Sequence, residues 1–123
     1  MSAQAYLTGN SAGMRLIALL TLYNRGDFDR LRAYIADNYA PAALAEQDAD
    51  ARTADLRDRF EQWGKLRIEQ VLGIAEHQVI ALVQAQEGGG YHALQVAVEE
   101  DFPHRLTLVA WGEVETDAEE PPS

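Results

Sequence analysis

The sequence has no cysteine, a single lysine (Lys65) and three serines (Ser2, Ser11 and Ser123). Without cysteine there are no disulfides, thiolate nucleophiles or sulfur-ligated zinc sites. None of the serines stands in a GxSxG or SxxK context, so a serine nucleophile is not expected. HExxH and HxH are also missing, and His77 falls in a turn signal, so no catalytic metal site and no cofactor is expected. Basic residues are few, ten against twenty acidic ones, for a formal net charge of −10. Nucleic acid requires clustered Lys and Arg, and anionic membranes repel such a chain, so neither is an expected partner. The longest apolar run, Leu16–Tyr23, is too short to span a bilayer. No small-x-small cleavage site follows it, so it reads as a buried helix and the protein as cytoplasmic.

What remains is ordinary globular material, 47% hydrophobic and 24% charged over 123 residues, enough for one core. A first helix is expected from about Ala12 to Asn24, with Leu16, Ile17, Leu20 and Tyr23 on one stripe and Gly26 as its stop. Asp27 caps a second, in which Phe28, Leu31, Ile35 and Tyr39 recur at helical spacing. Ala42–Asp50 has no clear stripe. A third helix follows to Trp63, carrying Leu56, Phe60 and Trp63 on one face and an Asp55–Arg59 pair. After Gly64 the period becomes two, and strands are expected near Lys65–Leu72, Val79–Gln86, Tyr91–Glu99 and Arg105–Glu113. Their short connections force antiparallel neighbours. The reading is an α+β domain over 1–115, three helices packed on a curled four-stranded antiparallel meander. An acidic tail over 116–123 follows.

Register extends the argument. With Glu87–Gly90 as a four-residue loop, Ala85, Val83, Ala81 and Val79 face His92, Leu94, Val96 and Val98. A turn at Glu76-His77 adds Leu72, Gln70, Ile68 and Leu66 to this helix-covered face, and the last strand adds His104, Leu106, Leu108 and Ala110. A pocket between sheet and helices would then be lined by Gln70 and His92 and closed by Tyr23, Tyr39 or Trp63. His104 lies at the other end of the sheet and cannot join it. The opposite face carries Ile80, Leu82, Tyr91, Val109 and Trp111. That is more apolar than a water-facing sheet should be, so a homodimer or a covering domain is expected there.

The segments Tyr23-Asn24-Arg25-Gly26-Asp27, Tyr39-Ala40-Pro41 and Pro103-His104-Arg105, with helices preceding a meander, resemble small bacterial domains of the nuclear-transport-factor-2-like superfamily. This group is also called ketosteroid-isomerase-like or SnoaL-like. Some such domains precede a serine-hydrolase (β-lactamase-like) domain, which is absent from this sequence. The resemblance spans about Ala12 to Trp111 and implies a cone-shaped, cystatin-like fold, often dimeric through its outer sheet face. Enzymes of the superfamily place an Asp, or an Asp–His pair, on the cone's inner wall. The four strands offer none there, so no catalytic residue is carried over. The short first strand usual between the second and third helices is missing or reduced to Tyr39–Pro41.

Three functions follow as expectations. The leading one is a noncatalytic binding or accessory domain that dimerises and holds a small apolar ligand. The competitor is an isomerase, cyclase or hydrolase using His92 as acid–base, with Gln70 or a tyrosine orienting the substrate. The third is a structural protein whose interior is filled with side chains.

Overall fold

The computed structural model describes residues 7–114; the expected tail, 116–123, lies outside the described residues. Helix α1, Ser11–Arg25, begins where the Asn10 side chain accepts the Gly13 N–H at 3.0 Å. It stops at Gly26, whose φ of 69° is the left-handed turn that glycine adopts without strain. Asp27 caps α2, Phe28–Asn38, by accepting the Arg30 N–H. Tyr39 and Ala40 are extended, and Tyr39 forms an isolated parallel bridge to Leu106.

The segment without a stripe holds a helix that the sequence reading does not contain, α3, Pro41–Glu46. Pro41 starts it with φ already suited to a helix, and only Ala43 is buried, so no apolar stripe announces it. Asp48 then caps α4, Ala49–Trp63. The described helices from Ser11 onward therefore number four, against the three expected. None is long and apolar enough to cross a membrane.

Strands β1 (Leu66–Ala75), β2 (Gln78–Ala85), β3 (Tyr91–Val98) and β4 (Leu106–Glu113) form an open antiparallel sheet in the order β1-β2-β3-β4. The α+β class and the meander are as expected. Register departs from expectation in three places, with different consequences.

Between β2 and β3 the four-residue loop is Gln86–Gly89 rather than Glu87–Gly90, and Val83 opposes His92. The slip is two residues, so every side chain keeps its face. In β1, single-residue bulges fall at Glu69 and Leu72. Between them the alternation inverts: Val71 opposes Ala81 on the helix side, and Gln70 opposes Leu82 on the outer side. Outside the two bulges parity is as expected: Leu66 and Ile68, before the first, point inward, and Ile74, after the second, opposes Val79. Gln70 and Leu72 are thus corrected from the inner wall to the exposed surface.

In β4 one extra residue, Thr107, lies between Leu106 and Leu108. Val109 and Trp111, expected on the outer face, oppose Val96 and Leu94 and pack against the core. Leu108 and Ala110, expected inside, take the outer face. His104 precedes β4 at a φ of 59° and is not a strand residue.

The core fills the space between the helices and the sheet's inner face. Leu16, Leu19, Leu20, Tyr23, Leu31 and Ile35 meet Leu66, Val79, Val83, Leu94, Val96 and Leu106, all fully or nearly fully buried. Along β2 buried positions alternate with half-buried ones, the pattern of a sheet covered on one side.

Candidate functional site

The five residues expected to share a pocket are divided among three environments. Tyr23 is completely buried and its hydroxyl donates to the Gly64 carbonyl at 2.9 Å. Its ring meets Phe60 edge-on at 5.3 Å. Burial raises its phenol far above the ordinary tyrosine value, and the Arg59 charge only partly opposes this. Tyr23 is a core and anchoring residue. Gln70 is exposed on the outer face. Only Trp63 and His92 touch, their rings stacked at 3.8 Å with a 22° tilt. Tyr39 lies further along the same side, buried beneath the Arg52 guanidinium, which sits 4.4 Å from its ring centre. Burial pushes the Tyr39 hydroxyl up to about 12, against the lowering effect of Arg52.

Around Trp63 and His92 the structure gathers groups that the sequence reading did not combine. Arg52, Asp55, Arg59 and Trp63 fall at i, i+3, i+7 and i+11 along α4, one helical stripe facing β4. The Arg59 guanidinium lies 5.2 Å from the Trp63 ring and 4.9 Å from the Trp111 ring, while its Nε donates to Asp55 at 3.0 Å. Trp63 meets Trp111 edge-on at 5.5 Å. Trp111 reaches this cluster because the bulge at Thr107 turns it inward. Arg52 donates to the carbonyls of Gln47 and Ala43, each at 2.7 Å, and so satisfies the end of α3.

These side chains frame a mouth between α4 and β4. Beneath Trp111, beside Tyr39, Arg52 and Asp55, is a cavity of about 30 Å³. That is the room of about one water molecule. Outside it an open cleft of about 570 Å³ runs past Glu46, Gln47 and Arg52 along Thr107–Val109. A separate open cleft of about 530 Å³ lies at the start of β1, beside Asn24, Lys65 and Gln84.

The mouth does contain an acid. Asp55 comes from helix α4, and a second carboxylate, Glu113, is turned by the Thr107 bulge to the helix side of β4 opposite His92, so the inner wall is not free of strand carboxylates as expected. The Asp55 carboxylate is half exposed and already bonded to Arg59. His92 is held below the ordinary histidine value, first by burial and then by Arg59, with the facing Glu113 opposing. The arrangement therefore offers a neutral, flat-stacked imidazole, two indoles and a partly shared guanidinium. It suits the grip of a planar or anionic group, with the Asp55 carboxylate committed to Arg59 and the exposed Glu113 carboxylate facing His92 from β4.

No protein-family model, curated protein or solved structure matches the chain.

Proposed function

We propose that this chain is a noncatalytic accessory domain of the nuclear-transport-factor-2-like kind, acting as a homodimer joined through its outer sheet face. The observation that carries the reading is the chemistry of that face. Its positions on the two central strands are Gln78, Ile80, Leu82 and Gln84, then Tyr91, Ala93, Gln95 and Ala97. None is charged, in a chain with thirty charged residues among 123. Leu108, 41% exposed, extends the apolar strip onto β4, while β1 adds Gln70, Gly73 and, at its start, Arg67 paired with Glu69. A second copy is the occupant this surface fits. Two chains of net charge −10 repel on approach, and a contact without charged groups adds no like-charge clash to that. The Gln78 and Gln95 amides, which both donate and accept, pair with their own symmetry mates.

The four strands span roughly 500 Å² in plan, from ~4.8 Å per strand and ~3.3 Å per residue. Side-chain relief brings this toward the ~800 Å² per partner of a stable dimer. The family part of the proposal is supported by helices preceding a meander and by the Tyr39–Leu106 bridge, a remnant where a short first strand would stand.

Leu82→Glu tests the dimer, because it places a carboxylate in the middle of the proposed interface while leaving the core untouched. Sedimentation should show a dimer for the parent chain and a folded monomer for the variant. A parent chain that sediments as a monomer at tens of micromolar overturns the reading.

The competing acid–base role for His92 has less support. Its imidazole is stacked face-on against Trp63, the Asp55 carboxylate is bonded to Arg59, and the facing Glu113 is exposed to solvent. The apolar-ligand expectation narrows in the same way: the cavity beside Tyr39 admits about one water, and the adjoining cleft is lined by Glu46, Gln47 and Arg52.

A further inference from the structure

At the end of the sheet away from the mouth, two of the three histidines in the sequence meet. His77 closes the two-residue turn between β1 and β2, and His104 stands just before β4. Their ring centroids are 5.9 Å apart with a 32° tilt. The backbone carrying them is tied from several sides. Val98 donates to the His77 carbonyl at 3.0 Å, and the His104 N–H donates to Asp101 at 2.8 Å. Arg15 donates to the carbonyls of Pro103 at 2.9 Å and His104 at 3.2 Å. These bonds hold His104 at a φ of 59°, a left-handed conformation that few residues with a side chain adopt.

The His104 ring is oriented as well. Its Nδ1 lies 3.0 Å from the Glu99 carbonyl oxygen. A carbonyl only accepts, so Nδ1 carries the proton and a neutral ring presents its lone pair at Nε2. Histidines that ligate metals are held in this manner, with the second ring nitrogen donating to a carbonyl or carboxylate. Spacing agrees. With metal–nitrogen bonds of about 2.0–2.1 Å, two ring centres sharing one ion stand roughly 5.2 Å apart at a tetrahedral angle and roughly 6.4 Å when opposed. The observed 5.9 Å lies between these limits. The Glu76 carboxylate, 4.0 Å from His77 Nε2, is the anionic group beside the pair, while the Arg15 guanidinium is turned to the backbone carbonyls of Pro103 and His104.

We propose that His77 and His104 form a bidentate site for a divalent transition-metal ion of borderline softness, Zn²⁺, Ni²⁺ or Cu²⁺, with water completing the coordination. Nitrogen donors select these ions over Mg²⁺ and Ca²⁺. Among the described residues no group of three or more His, Cys, Asp or Glu side chains is placed to hold a metal, so the ion exchanges rather than building the fold.

The test titrates the full chain with Zn²⁺ by calorimetry and follows the imidazole proton resonances with added Ni²⁺. One ion should bind per chain, and the His77 and His104 resonances should shift or broaden while that of His92 does not. His77→Ala and His104→Asn should each weaken binding by about tenfold or more, and asparagine is chosen because it tolerates the left-handed backbone. Circular dichroism in chelator checks that both variants fold. Unchanged affinity in either folded variant, or imidazole resonances indifferent to about 1 mM Zn²⁺, overturns the site.

Discussion

His92 shows how neighbours set a single side chain's behaviour. Burial against Trp63 and the nearby Arg59 both disfavour its protonated form, and Glu113 only partly compensates. Its folded pKa lies below that of the unfolded chain. At neutral pH both states are unprotonated and nothing is gained or lost. As pH falls below about 6.5 the unfolded chain takes up this proton first, so stability declines until the folded pKa is passed, then levels. Urea denaturation from pH 7.5 to pH 5 should therefore show a steeper loss for the parent than for His92→Gln. Arg59→Gln should move the His92 titration, read by NMR, upward toward the ordinary value. A His92 titration at or above the ordinary value would show that the stacked arrangement is not the populated one. Little of this environment was legible in the sequence. Trp63, His92 and Trp111 are 19 to 48 residues apart, and their meeting depends on a bulge. The Arg52–Asp55–Arg59–Trp63 spacing was readable, but a helical stripe alone does not say which strand it faces.

Among the elements, the join between α1 and β1 has the clearest chemistry. Asn24 donates from Nδ2 to the Leu66 carbonyl at 2.9 Å and accepts the Leu66 N–H at 2.8 Å, closing a two-bond clip. Beside it Tyr23 bonds Gly64, Gly26 ends α1, and Asp27 starts α2. The segment from Tyr23 to Asp27 is thus a hinge block that fixes two helices and the first strand. Asn24→Leu keeps the size but removes both bonds, and should lower unfolding free energy by about 2 kcal/mol. Asn24→Asp keeps the acceptor and sets a carboxylate against the Leu66 carbonyl, so chemical denaturation should place it no higher than the leucine variant. Caps and stops of this sort were legible because their residue types are dictated by backbone geometry. The faces of Gln70, Val109 and Trp111 were not, because each bulge inserts one residue and inverts a period of two. The β2–β3 slip did no harm, being even.

For the whole molecule the governing quantity is charge. Twenty acidic residues against ten basic ones give each chain a long-range repulsive field that opposes self-association from every direction, the outer sheet face included. On that face the central strands present amides and apolar groups only, so the attraction is hydrophobic and short in range while the repulsion is long. Salt separates the two. Raising sodium chloride from 50 to 500 mM shortens the screening length from about 14 Å to about 4 Å and leaves apolar burial almost unchanged. The dimer should therefore tighten with salt, its dissociation constant falling roughly three- to tenfold in sedimentation equilibrium. A dimer held by ion pairs, such as one using Arg67 and Glu69 at the β1 edge, would loosen instead. Leu82→Glu sharpens the distinction, since any residual association of that variant should depend on salt more steeply than the parent's. The sign of the salt response thus distinguishes the proposed dimer through the uncharged strands from one held by ion pairs.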